Sequence, residues 1–149
     1  MPEVRDLYQE LIVEHAKKPR NFGKIEGAEH SATGYNPLCG DKVTVYLTLE
    51  GDRVQDIRWE GSGCAISSAS ASLMTERAKG KPRGETDALF DIFHKLVTGG
   101  AVGEAEAAQL GKLAVFSGVK EFPVRVKCAT LAWHTLKAAL EGTKSVTTD

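Results

Sequence analysis

Apolar residues recur along this chain with two periods, and the switches between them mark out the elements. Val4, Leu7, Tyr8, Leu11, Ile12 and His15 keep helical spacing, so residues 4–17 read as an amphipathic helix that Pro19 ends. His15 falls on that stripe and reads as a hydrogen-bonded packing histidine. Residues 20–35 are rich in Gly, Asn and polar groups, and predict a loop with a weak strand from Ser31 to Tyr35. Asn36-Pro37-Leu38-Cys39-Gly40-Asp41 is punctuated twice and predicts a turn between strands. From Lys42 to Glu50 the pattern alternates strictly, with Val43, Val45, Leu47 and Leu49 on one side. Gly51-Asp52 is a two-residue hairpin turn into a second alternating run, Arg53 to Glu60. The result is an antiparallel meander of two or three strands with one face covered.

After the turn Gly61-Ser62-Gly63 and Cys64 comes a segment of small residues with helical potential. It predicts a helix to about Lys79, where Gly80 and Pro82 stop it. Ser67, Ser68, Ser70 and Ser72 make it a mediocre helix former, and their small size lets another element approach closely. Thr86 is placed to cap the next helix, whose core stripe is Leu89, Ile92, Phe93, Leu96 and Val97. Gly99-Gly100 breaks it. Residues 101–121 predict a loop with a short helix around Glu104 to Leu110. Pro123 suits the first turn of a last helix over 123–141, with Leu131, Ala132, Leu136, Ala139 and Leu140 as its buried arc. Cys128 lies at the border of that arc, and His134 lies off the face of Cys128.

Composition narrows the function classes. The 149 residues suit one domain, residues 1–149, and the net charge is −1. No basic excess points to nucleic acid or a membrane surface. The apolar runs are too short to cross a bilayer, and the charged start Met1 to Asp6 is unlike a signal peptide. A cytoplasmic location is the expectation. Three cysteines, odd in number and widely spaced, make no disulfide framework.

Those cysteines carry the candidate chemistry. Cys39 is on a loop, Cys64 at a helix start and Cys128 near the start of another helix. A thiol at a helix N-terminus ionises more readily, and the thiolate is both nucleophile and metal ligand. Alternatively, Cys64 is a small buried hydrophobe. Asp41 follows Cys39 by two residues, and on an extended backbone the two side chains point the same way. Three thiolates and a carboxylate would satisfy tetrahedral Zn²⁺ or an iron–sulfur cluster. No Cys-x-x-Cys pair strengthens that reading. A dinucleotide fingerprint at Gly61-x-Gly63 fails, because Ile66 stands where the third glycine belongs and no parallel unit follows. A Cys–His nucleophile pair remains open, although no histidine sits in a recognisable signature.

Pro19-Arg20-Asn21-Phe22-Gly23, Asn36 to Asp41, Gly61 to Ser67 and Arg125-Val126-Lys127-Cys128 occur in the order seen in one family. From about residue 4 to 141 the chain resembles the U-type iron–sulfur cluster assembly proteins (SufU, IscU and the N-terminal part of NifU). The resemblance implies an α+β, IscU-like fold: a small antiparallel three-stranded sheet packed against helices, with the metal site at one end. Within the family the chain is most similar to SufU. Lys127 precedes the last cysteine where IscU scaffolds carry a ligating histidine, and an ammonium has no lone pair to donate. Residues 99–121 also resemble the extra stretch of SufU. Glu121-Phe122-Pro123-Val124-Arg125 does not match the chaperone-recognition motif of IscU.

The resemblance implies Zn²⁺ bound by Cys39, Asp41, Cys64 and Cys128, with Cys39 as sulfur acceptor. The implied partners are a SufS-like pyridoxal-phosphate cysteine desulfurase and downstream iron–sulfur assembly proteins. Lys127 or Arg125 would offset the site's negative charge. Two alternatives stand beside this sulfurtransferase reading. One is a scaffold that holds iron or a [2Fe–2S] cluster on Cys39, Cys64 and Cys128. The other is a structural zinc domain.

Overall fold

The computed structural model describes the backbone of residues 4–147 and the side chains of residues 9–146. Strands β1 (His30–Asn36), β2 (Asp41–Glu50) and β3 (Arg53–Ser62) form an antiparallel meander. Strand alternation sends Val43, Val45, Leu47, Val54, Ile57 and Trp59 to the covered face, all essentially buried. Glu50 pairs with Arg53 across Gly51-Asp52, where Gly51 takes a φ of +61°. A register shift between Thr48 and Leu49 marks a bulge beside this turn. A fourth strand extends the expected sheet. Ser145–Thr147 (β4) runs parallel to β1, giving the order β3-β2-β1-β4. Three residues show no alternation, so only the path of the chain creates this strand. Gly142, with φ of +81°, ends the last helix and turns the chain back, and Thr33 N–H donates to Lys144 O at 2.9 Å.

The helices are α1 (Val4–Lys17), α2 (Ala65–Ala78), α3 (Arg83–Thr98), α4 (Glu104–Leu110) and α5 (Pro123–Glu141). The burial of Val4, Leu7 and Tyr8 lies outside the described residues. Helices α2 and α5 pack on the sheet and on each other. Their close approach depends on the small residues of α2, of which Ser67, Ala69, Ser70, Ala71 and Ser72 are buried. The serines also act as polar cross-links. Ser70 Oγ donates to Ala129 O at 2.6 Å and accepts from Trp133 Nε1 at 3.1 Å. Ser72 Oγ meets His15 Nδ1 at 2.7 Å and accepts the Arg20 N–H at 2.8 Å. His15 is thus a satisfied packing histidine, 1 % exposed. Asn21 and Gly23 bond the backbone of Trp59, so the Pro19 to Gly23 segment covers the free edge of β3.

Two local expectations are corrected. Thr86 does not cap α3. The helix starts at Arg83 after Pro82, whose ring presets the extended entry, and the Arg83 N–H is satisfied by Asp52 O of the hairpin turn. Thr86 lies inside the helix with a buried hydroxyl that has no partner among the described residues. Residues 111–121 are not loop but a 3₁₀ segment (Gly111–Glu121). Leu113, Phe116 and Val119 are buried along it. Their spacing of three is the 3₁₀ period, which a search at 3.6 overlooks. No helix among the described residues is long and apolar enough to cross a membrane.

Candidate functional site

The chain gathers its chemistry at one end of the sheet, where the β1–β2 turn, the β3–α2 junction and the start of α5 meet. The β1–β2 turn is built on Asn36. Its backbone oxygen accepts from Cys39 N at 3.3 Å and Gly40 N at 2.8 Å, and its side-chain Oδ1 accepts from Leu38 N at 3.2 Å. Gly40 completes the turn at φ +72°, a left-handed conformation that costs a side-chain-bearing residue. Cys39 and Asp41 are therefore not neighbours on extended backbone. The tight turn, rather than the pleat of a strand, brings them together. Cys39 stays exposed, whereas Asp41 is 3 % exposed.

At the β3–α2 junction Cys64 is the N-cap of α2, and its Sγ accepts the Ser67 N–H at 3.4 Å. Asp41 ties this junction to the turn: Oδ1 accepts from Cys64 N at 3.1 Å, and Oδ2 lies 3.7 Å from Cys64 Sγ. Gly63 leaves the room this requires. A Cβ there would sit 2.6 Å from Asp41 Oδ1. Cys128, 2 % exposed, comes from the first turns of α5, and its Sγ is 3.5 Å from Cys39 Sγ.

One sulfur or oxygen atom from each of Cys39, Asp41 and Cys128 lies within 4.8 Å of the others, a group that can hold a metal ion. Cys64 borders this triangle through its contact with Asp41. Sulfurs bonded to one tetrahedral zinc lie roughly 3.8 Å apart, so the 3.5 Å between Cys39 and Cys128 suits such an ion. Burial pushes the Cys128 thiol up, reinforced by hydrogen bonding with Asp41, Cys39 and Cys64 and by the negative charge of Cys64. Metal binding here would release the proton that burial holds on Cys128.

The Arg125 guanidinium sits 4.5 Å over the Phe122 ring. Among the described residues, neither Arg125 nor Lys127 forms an ion pair. His134 packs edge-on against Phe90, away from the thiols. Burial holds its pKa below the ordinary value, with the nearby His94 and Lys137 charges acting in the same direction. The sequence reading passed over Asn36 and Gly63 as parts of the site. The Asn-Pro pair ahead of Cys39 was the available signal for Asn36, since asparagine closes turns on its own side chain.

The family described as NifU-like N terminal domain matches residues 7–129. The chain belongs to this family. Of its relatives, the iron–sulfur cluster assembly scaffold protein IscU of Streptococcus pyogenes serotype M1 is 38% identical over 143 residues, 95% of this chain and 87% of the relative. The zinc-dependent sulfurtransferase SufU of Bacillus subtilis (strain 168) is 39% identical over 131 residues, 88% of this chain and 87% of the relative. A crystal structure of a putative iron–sulfur cluster assembly scaffold protein for the SUF system, from Fervidobacterium islandicum AW-1, superposes with a TM-score of 0.83. It is 38% identical and covers 93% of this chain and 99% of its own. This NifU-like domain is thus about equally similar to proteins named for scaffolding and for sulfur transfer.

Proposed function

We propose that this protein works in iron–sulfur cluster assembly as a zinc-dependent sulfur acceptor for a cysteine desulfurase. The observation that carries the reading is the arrangement of Cys39: an exposed thiol on a tight turn, beside buried Asp41 and Cys128. Cys39, Asp41, Cys64 and Cys128 would hold the zinc. When bound, Zn²⁺ keeps its thiol ligands deprotonated at neutral pH. The Cys39 thiolate attacks the outer sulfur of a persulfide on the donor enzyme. The donor S–S bond breaks, a new S–S bond forms at Cys39, and the donor cysteine leaves as thiolate. Exposed apolar side chains on the same segments, Leu38 beside Cys39 and Phe122 and Val124 at the start of α5, supply contact area for the donor.

A second reading keeps support from the same donors. Three thiols and a carboxylate also suit a [2Fe–2S] cluster as cargo, and the Streptococcus pyogenes relative is named as a scaffold. Sulfide release by a cysteine desulfurase, measured with zinc-loaded and metal-stripped protein, separates the two. Stimulation that depends on zinc and disappears in Cys39→Ser is expected. Stimulation retained by Cys39→Ser would refute the assignment of Cys39. Inert zinc protein, together with iron-reconstituted protein that passes a stable cluster to an apo-acceptor, would establish the scaffold.

A further inference from the structure

We infer that Asn36 is a positioning residue that locks the Cys39 turn to the Cys128 sulfur through the two ends of one carboxamide. The side chain is 0 % exposed, at the last position of β1. Its Oδ1 accepts from Leu38 N at 3.2 Å, inside the turn that presents Cys39. That bond identifies the other terminal atom as the NH₂ group, because a backbone N–H needs an acceptor. The NH₂ lies 3.6 Å from Cys128 Sγ, within reach of a hydrogen bond to sulfur. The turn it holds carries Cys39, whose sulfur stands 3.5 Å from that of Cys128 on α5, 89 residues away in the chain. The carboxamide thus adds a second tie between the turn and Cys128, beside the direct contact of the Cys39 and Cys128 sulfurs.

An N–H donor on a thiolate does more than hold it in place. It spreads the sulfur's negative charge, which stabilises the thiolate against the carboxylate and the two other sulfurs nearby. Asn36 thus sets two properties at once: how closely Cys39 stays to Cys128, and how well Cys128 serves as a ligand. The second property rests on the zinc reading above; the first does not.

The test uses the full chain with Asn36→Ser and Asn36→Asp. Serine keeps a hydroxyl acceptor for Leu38 N but is too short to reach Cys128. Aspartate keeps the acceptor and the shape but sets an oxygen against the sulfur. The first readout is metal-free, in a Cys64→Ser background where serine still caps α2. Glutathione disulfide oxidises Cys39 and Cys128 to a disulfide and leaves as two glutathione thiols; the equilibrium yields their effective concentration. Losing one hydrogen bond to sulfur should lower it by about fivefold. In the Cys64 protein, zinc affinity by competition with a chromophoric chelator should fall by about tenfold or more. Asn36→Ser that matches the parent within about twofold in both readouts would overturn the inference. The unsubstituted protein supplies a check should either variant fail to fold. Loaded with an NMR-active cadmium isotope, its Asn36 side-chain amide proton should couple to the metal across the N–H···S bond, and absence of that coupling overturns the assignment. If the unsubstituted protein binds zinc no better than an isolated pair of thiols, the zinc reading fails, while the disulfide equilibrium still judges Asn36.

Discussion

Gly63→Ala tests whether backbone room beside Asp41 is part of the site. The glycine is not needed for a left-handed turn, since its φ is not in the positive range. The added Cβ would lie 2.6 Å from Asp41 Oδ1 and 2.8 Å from its Cγ, whereas ordinary contact begins at 3.4 Å. The carboxylate must therefore retreat by about 0.8 Å. That movement stretches the 3.1 Å bond from Cys64 N and carries Asp41 away from Cys64 Sγ. A hydrogen bond to a charged group contributes about 1.5–3 kcal/mol, and a carboxylate only 3 % exposed has no water to replace it. The expected loss of about 2 kcal/mol corresponds to a fall of about 4–8 °C in Tm for a domain of this size. Zinc affinity, read by chelator competition, should fall about tenfold to a hundredfold, because a donor of the site is displaced. Thermal unfolding of metal-free protein isolates the first effect, and the chelator titration measures the second. A Gly63→Ala protein with Tm within about 1 °C of the parent and unchanged zinc affinity would refute the reasoning.

Gly61→Ala should act differently, because its Cβ would meet Lys42 O, a backbone atom of the paired strand, and backbone cannot step aside. A larger drop in the denaturant midpoint than for Gly63→Ala is expected, and an equal or smaller one would contradict it. Thr86→Val should raise Tm by about 2–4 °C by removing a buried hydroxyl that has no partner among the described residues. A destabilised variant would show that the hydroxyl is satisfied. Burial, with the Arg20 charge beside it, holds the His15 pKa below its ordinary 6.5. The unfolded chain then takes up a proton as pH falls through 6.5 while the folded protein resists, so His15 contributes stability above that pH that is lost below it. Urea midpoints should decline from about pH 7 to about pH 5, and His15→Gln should flatten that decline. Identical slopes in the two proteins would rule out this role for His15.

The periodic elements were legible because burial of one face imposes a period on the residues that cover it. Lys42 to Glu50 and Arg53 to Glu60 alternate since one face of the sheet meets α2 and α5, and the glycine turn joins them. The helix from Pro123 was readable from its apolar arc, whereas the helix after Cys64, buried at nearly every position from Ser67 to Thr75, was readable only from its small residues and the Gly80 and Pro82 that stop it. Strand β4 was not, since three residues carry no period and their pairing depends on where α5 releases the chain. The start of α3 was misplaced because its first N–H is satisfied by Asp52 O of a distant turn, a partner that no local cap rule can supply.

The same division runs through the site. Residue type and motif order singled out Cys39, Asp41, Cys64 and Cys128, because the chain has only three thiols and Asp41 stands two residues from one of them. The sequence alone therefore determined which groups were available and at which element ends they stand. Their distances were decided only by tertiary structure. Cys128 reaches Cys39 because α5 crosses the end of the meander, and Asp41 reaches Cys64 because Gly63 lacks a Cβ. The Asn36 carboxamide joins the turn to α5 for the same reason: a contact across 92 positions leaves no local pattern and exists only once the sheet and helix have packed.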